Sequence, residues 1–234
     1  MRLSVRELHS YYGRAHILDG VSLDAAAGEV VALLGRNGAG KSTTLKSIIG
    51  IVRPAEGTIE LDGARISGEP PHRICRRGLG YVPEERRVFA SLTVNGNLEV
   101  GRQPPRPGLT AWTPARLFEL FPNLAGMGDR TAGQMSGGEQ QMLTIARTLM
   151  GNPALVLLDE PSEGLAPVIV EQMVRAIREL KKEGLAIVLS EQNVHFAMKV
   201  ADRAYIIEKG RIRHECTIEA LMADETLRRT YLTV

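Results

Sequence analysis

The chain is poor in cysteine and in net charge. Its two cysteines, Cys75 and Cys216, lie far apart in 234 residues, which is typical of free thiols in a reducing compartment and argues against a disulfide framework. The formal net charge is only +2, whereas a dedicated nucleic-acid binder usually has a strongly basic domain. We therefore expect no nucleic-acid partner, and we interpret the basic clusters at residues 73–77 and 85–87 as solvated surface.

Long apolar runs are also missing. No stretch approaches the ~18 consecutive apolar residues that a transmembrane helix needs, and residues 1–8 are too polar for the apolar core of a signal peptide. The sequence therefore predicts a chain that is neither secreted nor membrane-spanning, which still allows a membrane partner. Apolar residues make up 44% of the chain, enough to bury a sizeable core in one domain.

A glycine-rich segment follows the apolar run Val30–Leu34. The pattern G-x-x-x-x-G-K-[ST] binds phosphate because glycines let backbone N–H groups approach it, and because a helix starts there. Lys41 reaches the β and γ phosphates of a nucleotide, and the Ser42 hydroxyl can bind Mg²⁺. The residues of this segment are Gly35, Arg36, Asn37, Gly38, Ala39, Gly40, Lys41, Ser42 and Thr43.

Two acidic residues end a second apolar run, at residues 154–158. Such a run is typical of a central parallel strand, whose carboxyl end faces the ligand. There Asp159 can hold Mg²⁺ through its water shell, and Glu160 can orient or deprotonate an attacking water. Together with the phosphate-binding segment, this pair indicates an NTPase.

A third motif, Ser136-Gly137-Gly138, lies 23 residues before Asp159 and is followed by a helix-forming stretch at residues 142–150. Ser136 can cap that helix, and the two glycines expose N–H groups to an anion. A second phosphate-binding helix start in one chain is expected when two chains share nucleotides, because it can bind the phosphate of a nucleotide held by the other chain. The sequence therefore favours a site that spans two copies or two related chains.

The remaining pattern predicts an α/β fold. Runs at residues 3–8, 17–24, 30–34 and 57–61 indicate a small antiparallel layer, and helices and turns dominate residues 84–153. Strands then alternate with helices. Further strands are predicted at residues 154–158, 185–189 and 204–207, helices at 42–51, 114–121, 168–183 and 194–201, and a hairpin at 209–213. We predict one domain, 1–234, with a core of residues 1–83 and 154–234 and an inserted helical lobe, 84–153.

With these motifs in order, the chain resembles the ATP-binding-cassette ATPases along its whole length. The resemblance implies a P-loop NTPase (RecA-like) core with an antiparallel β subdomain and an inserted helical subdomain. It also implies that two cassettes sandwich two ATP molecules head to tail. Ser136, Gly137 and Gly138 would then contact the γ-phosphate held by the partner chain. Tyr12 falls where the family stacks an aromatic ring on adenine, with Tyr11 as the alternative.

Within that family, the chain looks most like the smaller of the two ATPase subunits of branched-chain amino-acid importers. The segments that carry this judgement are residues 35–41, 81–84, 92–94, 136–142, 164–167 and 191–193. The resemblance implies membrane permease subunits, a second cassette and, indirectly, a substrate-binding protein as partners. It implies a peripheral position on the cytoplasmic face of the inner membrane, and a permease contact near Val88, Phe89 and Leu92. Core packing explains those three residues equally well.

Four positions depart from the wider family pattern. Glu84 stands where most cassettes have a glutamine that contacts Mg²⁺ and its water, and Gln192 replaces the usual switch histidine. Ala166 replaces an aspartate, and Glu85 replaces a glycine of the importer subunits. These departures fit a heterodimer whose partner supplies the stronger site, although a homodimer remains open.

Other functions compete with this interpretation. Relatives in the resembling subfamily serve leucine, isoleucine and valine, but also urea, short amides and aromatic acids, and a cassette never touches the cargo. A soluble cassette ATPase of DNA repair or translation usually has two cassettes or a long coiled-coil insertion, and neither occurs in this sequence. A P-loop kinase or nucleotide-binding regulator has no use for Ser136-Gly137-Gly138. The sequence therefore favours ATP hydrolysis coupled to transport.

Overall fold

The computed structural model describes residues 1–232, which form two β-sheets and the helices around them. The strands are β1 (Leu3–Tyr12), β2 (Ala15–Ala25), β3 (Val30–Leu34), β4 (Glu56–Leu61), β5 (Ala64–Arg65), β6 (Leu79–Val82), β7 (Leu155–Asp159), β8 (Ala186–Glu191), β9 (Arg203–Glu208) and β10 (Arg211–Thr217). The helices are α1 (Lys41–Ile48), α2 (Pro71–Arg76), α3 (Val94–Gly101), α4 (Pro114–Leu120), α5 (Pro122–Ala125), α6 (Gly137–Leu149), α7 (Pro167–Lys182), α8 (Val194–Val200), α9 (Ile218–Ala223) and α10 (Glu225–Tyr231).

The larger sheet has the order β10-β9-β3-β8-β7-β6, and all its neighbours are parallel except the β9–β10 hairpin. Strands β3, β7 and β8 are buried at every residue, because helices or the second sheet cover both faces. Their carboxyl ends meet at one edge of the sheet. This edge brings the segment after β3 next to the acidic end of β7.

The smaller sheet is antiparallel, in the order β2-β1-β4-β5, and it packs on one face of the larger sheet. Alternate residues of β3 show the resulting layers. Val31 and Leu33 belong to the apolar cluster that includes the small sheet and α1. Val30, Ala32 and Leu34 belong to the cluster on the opposite face, which includes α6, α7 and α8. The central strand is therefore enclosed on both sides.

The helices between β6 and β7 share the second of these apolar clusters. Trp112, Leu117, Phe121 and Leu124 pack in it together with Leu143 of α6. The α/β fold with its antiparallel β layer and helical insertion is thus confirmed. The exact division into a core of 1–83 and 154–234 and a lobe of 84–153 stays a prediction. No helix within residues 1–232 is both long and apolar enough to cross a bilayer.

One sequence expectation needs correction. Residues 30–34 were expected in the antiparallel layer, but β3 pairs in parallel with β8 and β9, as its fully apolar pattern requires. The cap expected at Ser136 is confirmed, and helix α6 begins directly after it, at Gly137, ahead of the helix-forming stretch at 142–150. The sequence patterns also missed α2 and α3, which are short helices with few apolar positions.

Candidate nucleotide site

A cleft of about 380 Å³ opens at the carboxyl edge of the larger sheet. Residues from the loop after β3, from the tip of β1 and from the ends of β6 and β7 surround it. They are Tyr12, Ile17, Asn37, Gly38, Gly40, Lys41, Ser42, Thr43, Glu84, Glu160 and Glu163. Gly35 and Ala39 belong to the same loop but lie behind the cleft surface. A Cβ on Gly35 would come within 2.4 Å of the Ile207 carbonyl oxygen, so only glycine lets this loop pack against β9.

The loop ends in a helix start that is open to an anion. Gly40 has a φ of 111°, a left-handed conformation that costs glycine little, and helix α1 begins immediately after it. In the described chain no side chain caps the first turn of α1. Its free N–H groups and the positive end of the helix dipole therefore favour a phosphate in the cleft.

Lys41 is buried at the centre of this cradle, with 3% of its side chain exposed. Its Nζ donates hydrogen bonds to the Gly35 carbonyl oxygen at 2.9 Å and to the Arg36 carbonyl oxygen at 3.2 Å. It also pairs with Glu160 Oε1 at 3.0 Å. Each of the three N–H donors of the ammonium group thus has an acceptor. A phosphate that enters the cradle competes with the Glu160 carboxylate for this ammonium group.

Asp159 is a fully buried carboxylate held by three hydroxyl groups. Its Oδ1 accepts hydrogen bonds from Ser42 Oγ at 2.9 Å and from Ser190 Oγ at 2.6 Å, and its Oδ2 accepts one from the Tyr81 hydroxyl at 3.1 Å. Burial and the neighbouring Asp159 charge raise the pKa of Tyr81, which keeps it a donor. A hydroxyl and a carboxylate oxygen are the ligands that Mg²⁺ prefers, so the Ser42–Asp159 pair fits that ion.

Glu160 and Glu84 face the cleft from the ends of two neighbouring strands. Glu160 has a φ of 46°, a left-handed conformation that costs a non-glycine residue of order 1 kcal/mol. Its backbone N–H donates to Ser190, at 3.1 Å to the carbonyl oxygen and 3.2 Å to Oγ. Partial burial and the charges of Glu163, Glu160 and Asp159 raise the pKa of Glu84. This acidic side of the cleft favours a cation opposite the phosphate cradle.

Two tyrosines at the tip of β1 compete for the adenine position, and their contacts distinguish them. Tyr12 lines the cleft and is 50% exposed. Tyr11 is 41% exposed but stacks on His16, with ring centroids 4.3 Å apart and planes 8° from parallel. Tyr12 is therefore the aromatic ring that is free to stack on a base in this cleft.

The comparisons with known proteins agree with this geometry. The profile of the family described as ABC transporter matches residues 18–163. The chain belongs to the ABC transporter family. It is 44% identical over 230 residues to the high-affinity branched-chain amino acid transport ATP-binding protein BraG of Pseudomonas aeruginosa, covering 98% of this chain and 99% of BraG. This ABC cassette is thus an ATPase that binds adenine nucleotides.

Two further relatives support the same family. The lipopolysaccharide export system ATP-binding protein LptB of Escherichia coli is 37% identical over 234 residues, covering 98% of this chain and 96% of LptB. A nucleotide-free ATP-binding cassette from an ABC transporter superposes with a TM-score of 0.84 at 26% identity, and all of both chains is covered. The cassette fold is therefore matched along its whole length by solved structures.

The Ser136-Gly137-Gly138 motif of this ABC cassette is not part of the lining of its own cleft. Ser136 caps α6, and a capping box forms: the Ser136 N–H donates to Glu139 Oε2 at 2.7 Å, and the Glu139 N–H donates to Ser136 Oγ at 3.4 Å. Gly137 and Gly138 form the first turn of the helix. Gln192, at the end of β8, is exposed and also lies outside the cleft lining. Their assignment to the nucleotide site stays a prediction.

Sequence reasoning missed several residues that shape this site. Ser190 pairs with Asp159 in the sheet register, a position that only strand order reveals. Glu191 is buried and accepts hydrogen bonds from the backbone N–H groups of Ser162 at 3.0 Å and Asn193 at 3.1 Å. Burial raises the pKa of Glu191 to about 6. Arg86, interpreted from sequence as solvated surface, contacts the loop after Glu160.

Proposed function

We propose that this ABC cassette is the ATP-hydrolysing subunit of an importer that energises uptake of branched-chain amino acids or a related small solute. The observation that carries the proposal is the meeting of Lys41, Ser42 and Glu160 in one cleft, with the buried Asp159 bonded to Ser42. The identity to BraG along nearly the whole chain supports the cargo class. In this proposal, separate permease subunits carry the solute across the membrane.

Each group of the cleft has a role in this proposal. Lys41 and the backbone N–H groups of residues 37–43 bind the phosphates, and Tyr12 stacks on adenine. Ser42, Asp159 and Glu84 would hold Mg²⁺, which would supply positive charge beside the phosphates when it is bound. Glu160 releases Lys41 as the phosphates enter, and its carboxylate then orients or deprotonates the attacking water.

The site is completed by a second cassette. The exposed start of α6, with Ser136, Gly137 and Gly138, contacts the γ-phosphate held by the facing chain. Gln192 adds an uncharged donor where a histidine can add a charged one. A weaker site in this chain fits a heterodimer with a different cassette, while the surface also allows two copies to pair.

A groove on another face of the molecule suits the permease. It has a volume of about 500 Å³ and is lined by residues of α2, β6, α3 and the end of α6. Phe89, 48% exposed, and Val100 lie in it, whereas Val88 packs on the apolar core. Of the three residues expected at the permease contact, Phe89 is the one exposed enough to pack against a helix of the permease. A permease contact in this groove supports a peripheral location of the cassette on the cytoplasmic face of the membrane.

Uptake in cells tests the proposal. A strain that lacks this chain is complemented with the unchanged protein or with Glu160→Gln, and the uptake of labelled leucine, isoleucine and valine is measured. We expect the unchanged protein to restore uptake and Glu160→Gln to fail. Rescue of urea, short-amide or aromatic-acid uptake instead would assign one of those cargoes. Unchanged uptake of every solute would refute an importer and favour export, as in LptB, or a cassette ATPase without a permease.

A further inference from the structure

Arg86 links three parts of the site that the sequence separates widely. It lies in the loop between β6 and α3, two residues after Glu84, and its backbone adopts a left-handed φ of 45°. Such a conformation is costly for any residue with a Cβ atom, so the surroundings must stabilise it. The Arg86 carbonyl oxygen accepts a hydrogen bond from the Val88 N–H at 2.7 Å, which closes the loop tightly.

The Arg86 guanidinium binds the loop that follows the catalytic glutamate. Its Nη2 donates to the Glu163 carbonyl oxygen at 2.9 Å and lies 3.5 Å from the Gly164 carbonyl oxygen. The same loop begins at Glu160, which pairs with Lys41 in the phosphate cradle. It is also tied to β8, because the Ser162 N–H donates to Glu191. A shift of Glu160 is therefore transmitted to the carbonyl groups that Arg86 holds.

The other end of the same guanidinium lies against the start of α6. A Cβ on Gly137 would come within 2.2 Å of Arg86 Nη1, so this nitrogen occupies the space beside the glycine. Among residues 1–232, no carboxylate forms an ion pair with Arg86; its contacts are carbonyl groups and the glycine surface. The planar fork of arginine directs one nitrogen to each segment, whereas lysine carries a single ammonium group.

We propose that Arg86 is a positioning residue that couples the loop after Glu160 to the start of α6. Through it, the arrival of a nucleotide in the chain's own cleft changes the surface that Ser136 and Gly137 present to the facing cassette. The inference rests on the proposed function, because it needs ATP hydrolysis at a site shared by two cassettes. Arg86 itself contacts neither the phosphate cradle nor the proposed Mg²⁺ ligands directly.

Three variants test the coupling: Arg86→Ala, Arg86→Lys and the neighbouring Arg87→Ala, whose exposed side chain pairs only with Glu85 in the described chain. We expect Arg86→Ala to keep the affinity for a fluorescent ATP analogue within about twofold, since the cradle is intact. Its kcat should fall about tenfold or more, the size of one lost charge-assisted hydrogen bond. Arg86→Lys should restore part of kcat, and Arg87→Ala should stay within about twofold of the unchanged protein.

ATP-driven dimerisation provides the second measurement. In a Glu160→Gln background, Arg86→Ala should weaken the ATP-dependent dimer about tenfold, while the thermal unfolding midpoint shows that the variant folds. A normal kcat and dimer in Arg86→Ala, or an equal loss in Arg87→Ala, would overturn the coupling and leave the proposed function intact. Absence of ATP turnover in the unchanged protein would overturn both. A loss of analogue affinity alone would make Arg86 part of the chain's own cradle and would also overturn the coupling.

Discussion

Lys41 and Glu160 form a buried ion pair, and this pair defines the site at the scale of single residues. Only 3% and 9% of their side chains are exposed, so each charge depends on the other for its compensation. Removing one partner of a buried pair leaves the other charge uncompensated, which typically costs about 3–5 kcal/mol. In the proposed function, an entering phosphate replaces Glu160 as the partner of Lys41, and the freed Glu160 carboxylate orients the attacking water.

Lys41→Ala should nearly abolish ATP binding and turnover. The variant removes the charge that neutralises the β and γ phosphates, a loss of about 3 kcal/mol or more in catalysis. Titration with a fluorescent ATP analogue measures the binding, and phosphate release measures turnover. Lys46→Ala is the matched control, since Lys46 lies on the same helix but does not line the cleft. Unchanged affinity in Lys41→Ala would contradict the cradle.

Gln192→His should raise the basal ATPase rate of the isolated protein about threefold or more. A histidine at this position can donate to the γ-phosphate and carry a positive charge, whereas the glutamine amide stays neutral. His195→Ala, on the exposed side of α8, should stay within about twofold, because it is not at the family's switch position and exposed substitutions usually cost less than about 0.5 kcal/mol. Steady-state phosphate release at saturating ATP decides the point. An inert Gln192→His together with a crippled His195→Ala would transfer the switch role to His195.

Glu191 should make the protein more stable at mildly acid pH. Its pKa is about 6 in the folded chain against an ordinary value of 4.5, so between these values the folded state binds more protons than the unfolded state. Relative to Glu191→Gln, the unchanged protein should therefore gain about 1 kcal/mol of unfolding free energy from pH 7 to pH 5. Urea unfolding at both pH values measures the difference. Parallel pH curves for the two proteins would refute the buried, protonatable carboxyl group.

At the scale of elements, the sequence predicts best where one strand or helix carries its own signal. The apolar runs of β3 and β7 and the alternation from residue 155 onward define the parallel sheet, and Ser136 fixes the start of α6. Short elements such as α2 give no such signal, because six residues with one buried side chain show no periodicity. The parallel pairing of β3 also depends on strands more than 150 residues away, which no local pattern contains.

The residues of the site also differ in how well the sequence predicts them. The cradle and the acidic pair are contiguous motifs, so their residues are predictable one by one. Ser190, Glu191 and Tyr81 act through register and burial, and only the folded sheet brings them to Asp159 and to the loop after Glu160. Arg86 belongs to the same class, since its surroundings come from three separate loops. Contacts of this kind arise from topology rather than from any motif.

At the scale of the whole molecule, the proposed function makes one cassette contribute to two different nucleotide sites. Its cleft holds the phosphate cradle, while the start of α6, with its capping box complete, does not line that cleft. In the proposed function, a site that hydrolyses ATP therefore needs a facing cassette, and ATP connects the two surfaces. Nucleotide-driven association is thus the property that follows most directly from the arrangement.

Light scattering of Glu160→Gln with ATP and Mg²⁺ tests this claim most directly. Slow hydrolysis should hold the nucleotide in place, so the mass should double when ATP is added, and adding Ser136→Arg to the same protein should return it to the monomer. A Glu160→Gln protein that binds ATP but keeps the mass of one chain at every concentration would contradict a nucleotide shared between two copies of this cassette.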